Sequence, residues 1–491
     1  MDSSTTARQT RLQRPSFSLS PTALFLLLFL LGIGGLLLMN TVRVELVKTI
    51  LIFVSVTGLG LWLCHRTRVD LADPKLKILS SFWLLKVIIT LLLLYAGWIP
   101  QLDPSSASWG YDPQRYFQDA WNLIENGWNP VIGSNYQGII FYYAAIFYLF
   151  GHNPVVPAMF NTLTTLLGTL FLIRCVYSFV SERTANDWTI AGLLLVPEVL
   201  WFDVMTSRET LMGVLIIFAS LVAGRYLGGF KDFRLVNSLF LVGSSLLAIL
   251  AIRTSMAISV VASICAMMML LPSKHKTGPL ARVLMVGLTI TLLSVGSYVQ
   301  ELTGGYDISF VKTYNSLQAF EENVASHMDW SANSIGLLIA PNNAWQSVLY
   351  LPIRMVLYLA APIPNVALSV SELINGSWGA WQNLMTIPTS AMMLLGFPFA
   401  LAGSAQALRF RRIHTGPCVL YITFWSTFMA VAGGNIIIHE RYRIMSTLLL
   451  FACMWFGYTR CSRHEVMRWA LPWFGLLAAG AVFYMSYKSI M

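Results

Sequence analysis

Apolar stretches long enough to cross a lipid bilayer recur along nearly the whole chain, and no other feature narrows the available folds as much. A segment inside hydrocarbon has no water to satisfy its amides and carbonyls, so it closes its own hydrogen bonds as a helix of about 20 residues. Stretches near 21–39, 46–64, 78–99, 154–180, 188–204, 208–228, 235–252, 256–272, 281–299, 384–406, 417–434, 444–459 and 469–487 meet this pattern. Only 11% of the residues are charged and mean hydropathy is +0.65, where a soluble domain carries about 25% charged residues. The expected fold is all-α: a polytopic transmembrane helix bundle of about thirteen spans, with outer-face loops that contain amphipathic helices.

Basic residues set the expected orientation, because Lys and Arg gather in short cytoplasmic loops. Arg8, Arg11 and Arg14 precede the first span, and Arg66, Arg68, Lys75 and Lys77 follow the second. Lys231 and Arg234, then Lys274, Lys276 and Arg282, then Arg409, Arg411 and Arg412, then Arg460, Arg463 and Arg468 continue the alternation. This puts the amino terminus in the cytoplasm and the carboxyl terminus outside. The first stretch is long and lacks a small-residue cleavage site, so it reads as a retained anchor.

The chain then divides into a cytoplasmic tail (1–20), three spans (21–99), a large outer loop with amphipathic helices (100–153) and central spans (154–299). A second large outer loop (300–383) and the C-terminal spans (384–491) complete it. Two apolar segments, 137–150 and 346–366, are short or interrupted by proline and are expected to lie in the outer interface.

Several classes are excluded or disfavoured. The net charge of +10 serves topology, with no basic stripe on a soluble domain, so nucleic acid is not an expected partner. Cys64, Cys175, Cys265, Cys418, Cys453 and Cys461 fall in spans or at cytoplasmic ends, without a C-x-x-C pair, which leaves neither a disulfide framework nor a thiolate metal site. No zinc spacing and no phosphate-binding glycine loop is present. The metal sites expected are none, and the residues call for no certain cofactor, with a divalent metal left open.

What remains to be explained is the charge on the outer face. Asp112, Arg115 and Asp119 stand in WGYDPQRYFQDAW at spacings of three and seven, on one side of an amphipathic helix. Asp112 precedes Pro113, so it is either a helix N-cap or a residue of a site. Arg208 and Glu209, in VMTSRET, are held at the interface by a very short turn. Arg208 offers a planar fork suited to phosphate, or else seals the turn by pairing with Asp203. Glu209 is a second carboxylate of the site or an acid at a helix N-terminus. His439, Glu440, Arg441 and Arg443, in GGNIIIHERYRIMS, put positive charge where topology disfavours it, which points to an anionic ligand or to snorkelling arginines. Arg253, in AIRTS, is a further phosphate candidate. A flippase or other transporter would instead place its charges along a path within the bilayer.

The outer loop YDPQRYFQDAWNLIENG, the tyrosine-rich YQGIIFYYAAIFYLFG that follows it, and the many later spans resemble the GT-C polytopic glycosyltransferases over residues 109–260. That group includes the protein O-mannosyltransferases and the lipid A aminoarabinose transferases. The resemblance implies a polyprenyl-phosphate-linked sugar donor, a glycan, lipid or protein acceptor, and contact with membrane lipids, in a bacterial inner membrane. It implies that Asp112 is the catalytic base of an inverting transfer and that Arg208, Arg441 and Arg443 hold the departing lipid phosphate. The PNV turn after PIP (362–366) and the HERYR cluster also resemble bacterial O-antigen polymerases, which act on repeat units linked to polyprenyl pyrophosphate.

Overall fold

A computed structural model describes residues 44–95, 111–129, 137–179, 192–230, 235–253, 256–271, 344–361, 370–411, 414–434 and 440–490. Every regular element among them is helical. The helices are α1 (Val44–Leu71), α2 (Ile78–Tyr95), α3 (Tyr111–Glu125), α4 (Gln137–Phe150), α5 (Val155–Phe179), α6 (Pro197–Val204), α7 (Arg208–Leu227) and α8 (Leu235–Arg253). They continue as α9 (Ala257–Leu270), α10 (Ala344–Ala360), α11 (Val370–Ile374), α12 (Trp378–Arg409), α13 (Thr415–Gly434), α14 (Glu440–Arg460) and α15 (Arg463–Ile490).

Seven described helices are long and apolar enough to cross a membrane: Val47–Leu71, Pro74–Tyr95, Val155–Ser178, Arg208–Leu227, Leu235–Arg253, Trp378–Arg409 and Thr415–Gly433. Together they make this a multi-pass membrane protein of the all-α kind. The stretches at 21–39 and 281–299, the loop acids from Glu301 to Asp329 and His439 lie outside the described residues. Of the two segments expected to be interfacial, 137–150 forms α4 and the helical part of 346–366 is α10, which ends at Ala360, while 362–366, with the PNV turn, lie outside the described residues.

Two expected spans differ from the sequence reading. The stretch 188–204 does not form one continuous helix: α6 starts at Pro197, and Val196 before it is extended at φ −58°, ψ 117°. Proline disfavours helical geometry in the residue ahead of it, so the chain breaks there. The freed Glu198 amide donates to Thr389 Oγ1 of α12 at 3.2 Å. The stretch 256–272 yields only the 14 residues of α9, shorter than the roughly 20 a crossing needs.

The centre of the bundle is α7, packed by α5, α8, α9, α13 and α14. Small residues allow close approach, as is usual where lipid supplies no hydrophobic drive between helices. A Cβ on Gly213 of α7 would lie 3.0 Å from Met445 Cα of α14, and one on Gly457 of α14 would strike the Phe399 carbonyl of α12. Threonine hydroxyls on α5 close back onto their own helix, Thr162 onto the Ala158 carbonyl at 2.7 Å and Thr164 onto that of Phe160 at 2.8 Å. Such back-bonds satisfy donors that lipid cannot.

The start of α7 is recessed. Ser178 of α5 accepts from Arg225 at 3.0 Å, Gly168 faces Val214, and Asn161 donates to the Met205 carbonyl, so α5 and α7 run side by side in the same direction. Arg208 therefore lies level with the second turn of α5. Val155 begins some six or seven residues higher, or about 10 Å at 1.5 Å per residue.

Candidate functional site

The recessed turn carries the first part of the site. α7 opens with Arg208 and Glu209, both buried, and Arg208 Nε lies 3.2 Å from Glu209 Oε1. A carboxylate in the first turn of a helix is favoured by the exposed amides there, but this one is also held by tertiary partners. Arg441, at the start of α14, brings its Nε to 3.3 Å from the same Oε1. Its Nη1 reaches Asp112 Oδ2 of α3 at 2.8 Å. One planar guanidinium thus bridges two carboxylates from helices far apart in the chain, a geometry that lysine does not reproduce.

A third guanidinium completes the cluster. Arg253, the last residue of α8, lies 5.0 Å from the centre of the Tyr442 ring, and Arg441 approaches that ring to the same distance. Arg253 sits within electrostatic range of Glu209, Arg208 and Arg441. Three arginines therefore gather around Glu209 and Asp112 in a site where Glu209 is only 2% exposed and Asp112 28%. Low exposure strengthens each charge interaction relative to water, and clustered planar donors are the arrangement that recognises phosphate.

Asp112 lies in the first turn of α3, and its carboxylate faces Arg441, so it is both a helix-start acid and a member of the cluster. Arg115 and Asp119 are not drawn in. They pair with each other at 3.3 Å along α3, with Arg115 53% exposed. Glu440 opens α14.

Arg443 is placed elsewhere. It is 1% exposed, with Nε 3.0 Å from both Glu198 oxygens and Nη1 donating to the carbonyls of Tyr358, Leu359 and Ala361. Its Nη2 donates to Ser390 Oγ at 2.8 Å. Its donors are spent on protein, and it joins α6, α10, α12 and α14 as a structural knot. Asp203, too, has a partner other than Arg208: Lys86 of α2 lies 2.7 Å away and Thr165 donates to the same oxygen at 2.7 Å, all fully buried.

The site has a polar floor that residue types alone do not reveal. Asn161 Nδ2 donates to the Met205 carbonyl at 2.6 Å, Tyr143 OH donates to the Ser207 carbonyl at 2.8 Å, and Thr206 Oγ1 donates to the Pro113 carbonyl. Of these, only Asn161 leaves a trace in the sequence, an amide within an apolar span, where polar groups are costly. On the far side of α3, His152 stacks on Trp121 at 4.5 Å and on Phe117 at 4.2 Å. Desolvation lowers its pKa to about 4, despite the opposing bond to the Phe117 backbone and the charge of Glu125.

Among the described residues, no group of three or more His, Cys, Asp and Glu side chains is placed to hold a metal ion. The six cysteines are free.

The chain is thus a polytopic helical membrane protein with an arginine-rich polar site set below the start of α5. Neither a family model nor a curated protein sequence matches the chain. The structure is similar to that of ArnT from Cupriavidus metallidurans in the apo state, with 13% identity over 79% of this chain and 77% of that one, at a TM-score of 0.33.

Proposed function

We propose that the protein is a membrane glycosyltransferase that moves a sugar from a polyprenyl-phosphate-linked donor to an acceptor hydroxyl at the extracytoplasmic face. The observation that supports this most is the meeting of Arg208, Arg253 and Arg441 around Glu209 and Asp112, below the end of α5. A site at that depth suits a headgroup whose lipid tail stays in the bilayer, and three guanidiniums suit its phosphate.

In this reading Asp112 removes the proton of the acceptor hydroxyl as its oxygen bonds to the anomeric carbon. The bond from that carbon to the phosphate oxygen breaks, and the lipid phosphate leaves with the electron pair. A single displacement inverts the anomeric centre. Arg208, Arg253 and Arg441 meet the charge that grows on the leaving phosphate, where preorganised donors are most effective. As the phosphate engages Arg441, the Asp112 oxygen that faces it is released to take the proton.

The test is to extract lipid-linked sugars and surface glycans from host cells lacking the gene, and from the same cells restored with wild type or Asp112→Asn. Polyprenyl-monophosphate sugar accumulating in both defective strains is the expected result. Complete repeat units on polyprenyl pyrophosphate would make the protein a polymerase instead, and an unchanged lipid pool and glycan would sink both.

A further inference from the structure

The first-loop helix α3 packs principally along α4 and only slightly on the rest of the bundle. Polar ties act at its Asp112 end. One is the Asp112–Arg441 pair, which a bound anion would compete for. A second is the Thr206 hydroxyl, which reaches from the turn before α7 to the carbonyl of Pro113, the residue next to Asp112.

This second tie is rigid on both sides. Thr206 is fully buried, and its neighbours Met205 and Ser207 are fixed through their carbonyls by Asn161 of α5 and Tyr143 of α4. Thr162 and Thr164 donate their hydroxyls to carbonyls of their own helix, whereas Thr206 sits in a turn and donates to another element. The Pro113 carbonyl has two lone pairs, one for the helix amide four residues on and one for Thr206.

We propose that Thr206 is a positioning residue: its bond to the Pro113 carbonyl sets where α3 presents Asp112 to Arg441, Arg208 and Glu209. The role rests on the reading of Asp112 as the base. Thr206 touches no reacting atom. It acts through the backbone beside Asp112, and it keeps that backbone in place while Arg441 is engaged by substrate.

The test compares Thr206→Val, which keeps the shape and loses the donor, with Thr206→Ser, which keeps the donor, in full-length protein in detergent. Hydrogen exchange is followed at the amides of residues 114–118, and turnover is measured on a polyprenyl-phosphate sugar. In Thr206→Val those amides should exchange about tenfold faster, as expected when a local tie is lost. Turnover should fall about a hundredfold with donor KM unchanged, the cost of a small misplacement of a reacting group. Thr206→Ser should match wild type in both, and Thr206→Ala replaces the valine variant if that protein is not recovered folded. Wild-type exchange in the variant lacking the hydroxyl, or a serine variant as loose as it, would overturn the proposal. If exchange rises as expected while Asp112→Asn turns over at the wild-type rate, the positioning stands and the transfer reading fails.

Discussion

Asp112 Oδ2 lies 2.8 Å from Arg441 Nη1, and Arg441 Nε lies 3.3 Å from Glu209 Oε1, so one side chain from the C-terminal third orients two acids from the N-terminal half. The fork of the guanidinium is what makes this bridge. Arg441→Lys keeps the charge but offers a point in place of a fork, so it aligns one acid at most. Turnover on a polyprenyl-phosphate sugar should drop by about 10²- to 10³-fold, the scale for loss of one preorganised donor. Steady-state kinetics of the purified variant measure this, and a loss under threefold would remove Arg441 from the reaction.

Lys86 and Asp203 are both fully buried, 2.7 Å apart, with Thr165 bonded to each. Removing one partner strands a charge, so Lys86→Met alone should destabilise by about 3–5 kcal/mol. The double variant Lys86→Met, Asp203→Leu removes both charges and should recover most of that loss. Chemical denaturation of the three proteins in detergent decides between this and a pair of negligible weight.

His152 makes the packing of α3 on α4 sensitive to acid. Its ordinary value is 6.5 and burial lowers it to about 4. Between these values the unfolded chain binds the proton and the folded one does not, so stability declines as pH falls from 6.5 towards 4 and is fully present above 6.5. Trp121 stacks on the ring within 7° of parallel and reports its protonation. Tryptophan fluorescence should titrate near pH 4, and His152→Phe should abolish that transition.

Gly457 packs against the backbone of α12, and the neighbour a side chain would strike is the Phe399 carbonyl, which is fixed in its helix. Gly457→Val should destabilise by about 1–3 kcal/mol through overpacking, without any change of charge. A thermal melt in detergent shows it as a lowered Tm. An unchanged melt would mean that α12 and α14 separate more easily than the contact implies.

The helices were legible because their cause is local. Lipid leaves a backbone no partner but itself, so apolar length alone reveals α1, α2, α5, α7, α8, α12 and α13. The break at Pro197 was also visible in principle, since proline acts on the residue before it. Asp112, Arg208, Glu209, Arg253 and Arg441 stood out because charge near a bilayer is costly. Thr206 and Tyr143 did not, since a hydroxyl in a turn or an apolar helix has many ordinary uses.

Residue order is enough to make this chain a helical membrane protein with its uncommon charges concentrated in a few short motifs. Which of those charges meet is set by how the helices pack. Arg441 and Arg443 are the same residue type in one motif, yet two steps along a helix turn them by about 200°. One faces Asp112 and Glu209, the other Glu198 and a ring of carbonyls. Likewise Asp112 leaves Arg115 to Asp119 and takes a partner from α14. Periodicity assigns a side chain to a face, but which partner awaits it there depends on how helices distant in sequence are laid against one another.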